Sequence, residues 1–409
     1  MFEKARQTFR NYPRSFWMMI VVNFIDQLGG SLLIPFFALY VTKKFNIGMT
    51  EVGVLFAVFG ISSFLGAFPG GALTDRFGRK GIIIFGLLAS SISRLFMGMA
   101  STYQLFVIVA FIAGIFSDVS KPVYESIFMD ILPQEIRTSG FGIRRVAYNL
   151  AIVGGPVIGG FVATHSYLTL FIMSTVASGL AALIVFLFIA ETKPAPLKGE
   201  KEESTTEIFA GYLRVLRDVR FMAFVGTSLF AWMIYVNMST TLGVYLRNQH
   251  GVPESGYGWL LSLNAIMVVL FQFSVTQWTG KRPLLPMMAL GTMFLAIGLG
   301  MYAFVASYTL FAIAMAILTI GELIAFPISA ALVASFAPQN MRGRYNFIFY
   351  DSWVIAYAIG PYLAGLILDN LDPSLLWYAC AGLGLVTTLI FLWLHLWIHP
   401  RTVPTVQKA

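Results

Sequence analysis

The segment 118–125 places three ionisable side chains in an otherwise apolar stretch. Asp118, Lys121 and Glu125 are spaced i, i+3 and i+7, so in a helix they share one face. A charge at the centre of a bilayer costs about 2.5–3.5 kcal/mol even on the lenient insertion scale. This face is therefore predicted to meet the protein interior or a wet cavity, where Lys121 would keep one of the acids ionised until substrate or a conformational change intervenes.

Two further acids stand alone in apolar stretches. Asp26 lies near the middle of the first stretch, with Asn23 on its face, and Glu322 lies in the middle of a later one. Neither shows a cationic partner in the sequence. A carboxyl group embedded without a partner is a candidate proton carrier. Arg94, in a third stretch, is interpreted as structural.

The composition identifies the elements that must position these residues. The chain has 409 residues, of which 58% are hydrophobic and 11% charged, and its mean hydropathy is +0.78. These values predict an all-α integral membrane protein with several spans. The net charge of +8 would suggest a nucleic-acid partner in a soluble chain, but the charges lie in short loops, so none is predicted. The single cysteine, Cys380, excludes an internal disulfide and a multi-cysteine metal site.

Twelve apolar stretches are long enough to cross a bilayer, which takes about 20 residues each. They lie at 16–41, 52–73, 81–100, 104–128, 142–163, 166–190, 220–246, 256–279, 284–304, 308–334, 345–369 and 374–397.

Alternating loops differ in charge. One set is rich in bases such as Arg79 and Lys80, and the other holds only Lys43, Lys44 and Arg247. Because positive loops stay in the cytoplasm, a multi-pass protein of the cell membrane with both termini cytoplasmic is predicted.

The longest polar stretch divides the spans six and six. The predicted organisation is an N-terminal six-helix bundle at 1–190, a cytoplasmic linker at 191–219 and a C-terminal six-helix bundle at 220–409. A short amphipathic helix is expected at 206–217.

An internal repeat supports this division. A shift of 205 positions superimposes Pro122 on Pro327, Pro156 on Pro361 and Tyr40 on Tyr245. Two pseudo-symmetric, like-oriented halves suit alternating access, with the substrate between them near the midplane.

The loop between the second and third spans carries a specific motif. Its glycines permit a tight turn and its cations hold it in the cytoplasm. The loop reads Gly71, Ala72, Leu73, Thr74, Asp75, Arg76, Phe77, Gly78, Arg79, Lys80. This decapeptide resembles the signature loop of the major facilitator superfamily.

A glycine-proline motif in the fifth span, with Gly155, Pro156, Gly159 and Gly160, resembles that of the superfamily's twelve-span drug:proton antiporter branch. Small residues let helices approach closely, and the proline bends its helix. The sequence also departs from the branch, because Ala110 stands where an arginine is usual in the fourth span. Residues 279–282 form the loop that corresponds to the signature loop in the second half. This loop has basic residues but lacks the acidic one.

The resemblance implies two groups of site residues. A cytoplasmic latch of the two halves would comprise Gly71, Asp75, Arg76, Gly78, Arg79, Lys80, Asp130 and Arg137. Spans one, four, seven and ten would line a central cavity. The predicted substrate cavity residues, which come from these spans and from spans five and eleven, are Asn23, Tyr124, Arg144, Trp232, Tyr235, Asn237, Tyr350 and Trp353.

The predicted function is secondary active transport. The sequence has no Gly-x4-Gly-Lys-Ser/Thr phosphate loop, so no cofactor is expected and the proton gradient is the predicted energy source. We expect proton-coupled efflux of lipophilic or amphipathic small molecules, of the multidrug-resistance type, by a monomer surrounded by membrane lipid.

Three alternatives stay open. The first is a proton symporter or facilitator of a polar solute, and the second is a flippase of a lipid or lipid-linked glycan. The third is a receptor or membrane enzyme, which the sequence disfavours because its four histidines lie near span ends and no nucleophile-base pair is visible.

Overall fold

The computed structural model describes residues 12–67, 78–117, 121–133, 136–192, 205–338 and 341–398, and the regular structure in these ranges is helical. The chain forms two compact units. The first comprises Met1–Gly199 and Leu246–Ala265, and the second comprises Glu200–Tyr245 and Ile266–Ala409. The domain boundaries drawn from the sequence stay a prediction.

The first eight helices belong to the first unit. They are α1 Arg14–Leu33, continued through a 3-10 turn at Ile34–Phe36 into α2 Phe37–Phe45, then α3 Met49–Ala67, α4 Arg79–Met99, α5 Tyr103–Ser117, α6 Lys121–Ile131, α7 Arg137–His165 and α8 Tyr167–Phe188.

The remaining helices lie in the second unit, except that the end of α12 and the start of α13 belong to the first. They are α9 Thr205–Leu216, α10 Val219–Tyr235, α11 Asn237–Thr240, α12 Leu242–His250, α13 Glu254–Thr279, α14 Leu284–Met301, α15 Tyr308–Phe336, α16 Arg342–Asn370 and α17 Ser374–Ile398. Helix α9 confirms the short helix expected at 206–217.

The described helices account for all twelve predicted spans. Ten helical segments are long and apolar enough to cross a membrane, and two shorter apolar helices, Met49–Ser63 and Tyr103–Phe116, hold the second and fourth positions. Helices suit this setting because their backbone polar groups are satisfied within the segment. The predicted all-α membrane fold is confirmed.

The core of the first unit is aromatic and aliphatic where α1, α4, α6 and α8 meet. Phe16, Ile83, Phe128 and Val185 are at most 1% exposed. The Phe16 and Phe128 rings meet edge to face, with centroids 5.9 Å apart. This cluster fixes α1 and α8, which carry the polar groups described below.

The second unit has its own core, built mainly of phenylalanine. Phe224 stacks on Phe336 and Phe349 with ring centroids 5.7 Å and 5.4 Å apart, and Phe221 and Phe391 are fully buried beside it. This core joins α10, α15, α16 and α17.

The structure confirms the internal repeat. Helices α7 and α16 begin and end 205 positions apart, and α1, α3, α4 and α5 begin 205 positions before α10, α13, α14 and α15. The repeat extends to single hydrogen bonds. Tyr40 donates to the carbonyl oxygen of Met97 at 3.3 Å, and its counterpart Tyr245 donates to that of Tyr302, the counterpart of Met97, at 3.0 Å.

Candidate functional site

Asp26 on α1 is the centre of a polar cluster in the first unit. The Ser178 hydroxyl on α8 donates to its carboxylate at 2.7 Å, and the guanidinium of Arg94 on α4 lies 4.0 Å from the same oxygen. Arg94 also donates to the Ser178 oxygen at 2.6 Å. The expectation that Asp26 lacks a cationic partner is therefore wrong, because the partner comes from another helix.

Close packing of α1 against α8 creates this cluster. A Cβ at Gly29 would lie 2.8 Å from the Cβ of Ala177, so the two backbones approach closely only because residue 29 has no side chain. Ser174 donates to the Gly29 carbonyl oxygen at 2.7 Å. Asp26 and Ser178 each lie about one turn from this contact, which brings their side chains together.

One buried polar atom near this cluster has no hydrogen-bond partner among the described residues. It is the Asn23 amide oxygen, whereas the buried Tyr124 hydroxyl lies beside Asp26. The charges of Asp26, Arg94 and Arg144 are close enough to act on Tyr124. Unsatisfied buried polar groups are uncommon and costly, so the Asn23 oxygen marks a place where water or a donor group of a ligand can bind.

Part of the predicted site lies outside the described residues. Asp118 of the fourth-span face lies there, as do the side chains of Lys121 and Glu125. The latch residues Gly71, Asp75 and Arg76 also lie outside them. The roles assigned to all these residues remain predictions.

The described latch residues meet at the start of α4. Arg79 forms a salt bridge with Asp130 at the end of α6, with 18% and 22% of the two side chains exposed. Glu191 accepts the Arg79 backbone N–H at 2.9 Å and that of Lys80 at 3.2 Å. The carboxylate thus satisfies free N–H groups at a helix start, where an anion is favoured.

Two more latch residues have local roles. Gly78 has φ of 80°, a conformation that favours glycine, and a side chain there would collide with Glu191. The Arg137 Nε donates to the Leu132 carbonyl oxygen at 3.0 Å, which links the first residue of α7 to the residue after α6.

The glycine-proline motif of α7 lies at two helix contacts. Gly155 packs against Ser31 of α1, since an added Cβ would lie 2.8 Å from the Ser31 carbonyl carbon. At Gly159 the added Cβ would lie 2.8 Å from the Phe36 ring, and at Gly160 it would lie 2.9 Å from the Glu254 carbonyl oxygen. Pro156 lies between these contacts, inside the helix.

The second unit holds an aromatic cluster of Trp232, Tyr235, Phe326 and Trp353. Adjacent ring centroids in this cluster lie between 5.0 Å and 5.8 Å apart. Tyr235 lies beside the Glu322 carboxylate. The buried Trp232 Nε1 has no partner among the described residues. The cluster therefore combines π faces, one acid and one N–H donor.

Two predicted cavity residues are placed elsewhere. The Asn237 amide donates to the Met233 carbonyl oxygen at 2.9 Å, and its oxygen accepts from Thr241 at 2.9 Å. Asn237 thus stabilises the interrupted helical stretch between α10 and α12. Tyr350 is outside the aromatic cluster and is 59% exposed.

Sequence reasoning missed Arg94, Ser178 and Glu191 as site residues. Arg94 carried a usable signal, because an arginine inside an apolar span is itself an intramembrane charge. Serine in a helix and an acid at a linker are too common to point to a site. Within the described residues, no group of three His, Cys, Asp or Glu side chains could hold a metal ion.

Known proteins share this fold and sequence pattern. The profile of the Major Facilitator Superfamily matches residues 19–354 and 249–408. The Na(+), Li(+), K(+)/H(+) antiporter of Planococcus maritimus is 22% identical over 97% of this chain and 99% of its own. Multidrug resistance protein 1 of Bacillus subtilis (strain 168) is 25% identical over 90% of this chain and 94% of its own.

Solved structures agree on the fold. The nucleoside transporter NupG superimposes with a TM-score of 0.80 at 11% identity, covering 93% of this chain and 99% of that one. The peptide transporter POT, solved in complex with sulfate, gives 0.78 at 17% identity, with 95% of both chains covered. With its repeated helices and matching profile, the chain belongs to the Major Facilitator Superfamily of membrane transporters.

Proposed function

We propose that this transporter exports lipophilic or amphipathic small molecules in exchange for protons, by alternating access. The observation that carries the proposal is the embedded carboxylate of Asp26, held by Ser178 at 2.7 Å and Arg94 at 4.0 Å. An ionisable group inside a membrane is costly and is a functional candidate by default.

The cluster offers a direct way to couple a proton to a change of state. Ionised Asp26 accepts from Ser178 and offsets the charge of Arg94. A proton on Asp26 removes that charge and leaves the guanidinium uncompensated in a partly buried place, which is strongly unfavourable. Proton binding therefore favours any arrangement in which Arg94 finds another partner, and this difference shifts the population.

The aromatic cluster of the second unit supports a lipophilic or amphipathic substrate. Cations bind to the faces of tryptophan and tyrosine rings with about 0.5–2 kcal/mol per favourable contact. Glu322, beside Tyr235, supplies negative charge, and the Trp232 N–H can donate to an acceptor on the substrate. A planar lipophilic cation fits this combination.

The relative from Bacillus subtilis named multidrug resistance protein 1 supports efflux. A proton gradient can drive it, because the electrical part alone supplies about 2.3 kcal/mol per charge for each 100 mV.

The test is flux of ethidium in proteoliposomes with an imposed pH gradient. The variants Asp26→Asn and Glu322→Gln are compared with Asp369→Asn and Glu51→Gln, which make the same changes at exposed acids. We expect Asp26→Asn to abolish the response to the gradient and Glu322→Gln to weaken ethidium transport at least tenfold, with both controls near wild type. Ethidium movement that ignores the gradient and both site variants would overturn the proposal.

A second candidate is exchange of monovalent cations for protons, which the relative from Planococcus maritimus favours. Adding Na+ or K+ to the same liposomes, loaded with a pH-sensitive dye, separates the two. Proton release on addition of salt, without any ethidium transport, would select this candidate.

A further inference from the structure

A cationic groove lies at the end of α13, in the second unit. It has a volume of about 470 Å³ and is lined by Ser274, Gln277, Trp278, Lys281 and Arg282. The guanidinium of Arg282 lies over the Trp278 ring, 4.3 Å from its centroid. This stacking orients the guanidinium while leaving its N–H groups available.

The loop that carries these two bases differs in charge from its counterpart in the first half of the chain. Gly280 stands at the position that corresponds to Asp75. Leu284 and Ser335 correspond to the paired Arg79 and Asp130. Among the described residues, neither Lys281 nor Arg282 takes part in a salt bridge. The loop therefore carries two bases and no acid, and it presents net positive charge.

The position of the groove favours an amphiphile over a free anion. Leu270, Phe273 and Trp278 are 64%, 73% and 44% exposed. They follow the i, i+3, i+8 spacing of one helix face that ends at the groove. This helix end is the one predicted to be cytoplasmic, where tryptophan and basic residues meet lipid headgroups. A molecule with an anionic head in the groove would lay its acyl chain along that apolar face.

We propose that this groove binds the headgroup of an anionic phospholipid. Lys281 and Arg282 contact the phosphate, and Ser274 and Gln277 supply further hydrogen-bonding groups. The site is independent of the proposed substrate and of proton coupling.

The test is native mass spectrometry of the full chain in detergent, titrated with phosphatidylglycerol or phosphatidylcholine. The site variant is K281Q/R282Q. The control is R217Q/R220Q, which removes the same charge from two exposed arginines before and at the start of α10. The variant K281R/R282K keeps the charge and tests whether it is sufficient.

We expect the wild-type chain to retain phosphatidylglycerol at a concentration at least tenfold lower than phosphatidylcholine. This preference should vanish in K281Q/R282Q and persist in the other two variants. The proposal fails if K281Q/R282Q keeps the preference, or if R217Q/R220Q loses it equally. It also fails if inorganic phosphate at a concentration equal to that of the lipid displaces the bound lipid completely, since the groove would then prefer free phosphate.

Discussion

The Ser178 hydroxyl donates a 2.7 Å hydrogen bond to the Asp26 carboxylate, across 152 positions of sequence. A hydrogen bond donated to a carboxylate stabilises its ionised form. Ser178 therefore stabilises the Asp26 carboxylate. The same serine accepts from Arg94, so it connects the acid to the base.

We predict that Ser178→Ala changes the pH dependence of transport rather than abolishing transport. Without the hydroxyl, the ionised carboxylate loses a bond worth about 1.5–3 kcal/mol. The pH of half-maximal transport should then differ from that of the wild type. A pH profile of ethidium flux measures this shift. Ser174→Ala, which removes a hydroxyl bonded to the Gly29 carbonyl oxygen instead, should leave the midpoint in place, and an unchanged midpoint in Ser178→Ala contradicts the prediction.

We predict energetic coupling between Asp26 and Arg94. Asp26→Asn and Arg94→Gln each leave one charge uncompensated, whereas the double variant removes both. The double variant should therefore be more stable than the sum of the single effects implies, by about 1–3 kcal/mol. The measurement is a double-mutant cycle, in which the apparent free energy of unfolding in detergent is determined for the wild type, both single variants and the double variant. If the effects of the two substitutions on the free energy of unfolding simply add, then Asp26 and Arg94, which are 4.0 Å apart, do not interact energetically.

The fold was largely predictable because a membrane imposes simple rules on sequence. A span needs about 20 apolar residues, and its backbone must be satisfied within the helix. The repeat was equally visible, since matched prolines such as Pro156 and Pro361 lie inside helices with corresponding ends.

The partners within the site were not predictable, because they come from different helices. The sequence shows which residues share a face of one helix. It does not show which helix packs against that face. Asp26 appeared unpartnered for this reason, although Arg94 was visible as an intramembrane charge. The role of Glu191 could not be predicted for the same reason. Its partners, the N–H groups of Arg79 and Lys80, lie more than a hundred positions earlier in the sequence.

We predict that the Arg79–Asp130 salt bridge biases the transport cycle. Partly exposed pairs are worth about 1 kcal/mol or less, enough to shift a two-state equilibrium several-fold. Arg79→Asp and Asp130→Arg should each lower the ethidium transport rate, and the combined charge reversal should recover part of it. Arg145→Asp, at an exposed base of α7, is the control for charge reversal alone. A double reversal as slow as the worse single variant would contradict a role for the pair.

We predict that Gly155→Ala separates α1 from α7 and destabilises the first unit. The new Cβ would lie 2.8 Å from the Ser31 carbonyl carbon. The contact therefore involves backbone, which cannot rotate away as a flexible side chain can. Overpacking of this kind costs about 1–3 kcal/mol, so the apparent Tm in detergent should fall by several degrees.

Gly142→Ala provides a matched control in the same helix, because nothing lies within 4 Å of its added Cβ. Alanine is the better helix former by about 0.5–1 kcal/mol, so this variant should unfold at or above the wild-type temperature. The difference between the two variants isolates the helix contact from the effect of alanine on the helix itself. Equal Tm values for both would show that α1 and α7 tolerate a side chain at residue 155, and the close approach at Ser31 would then contribute little to stability.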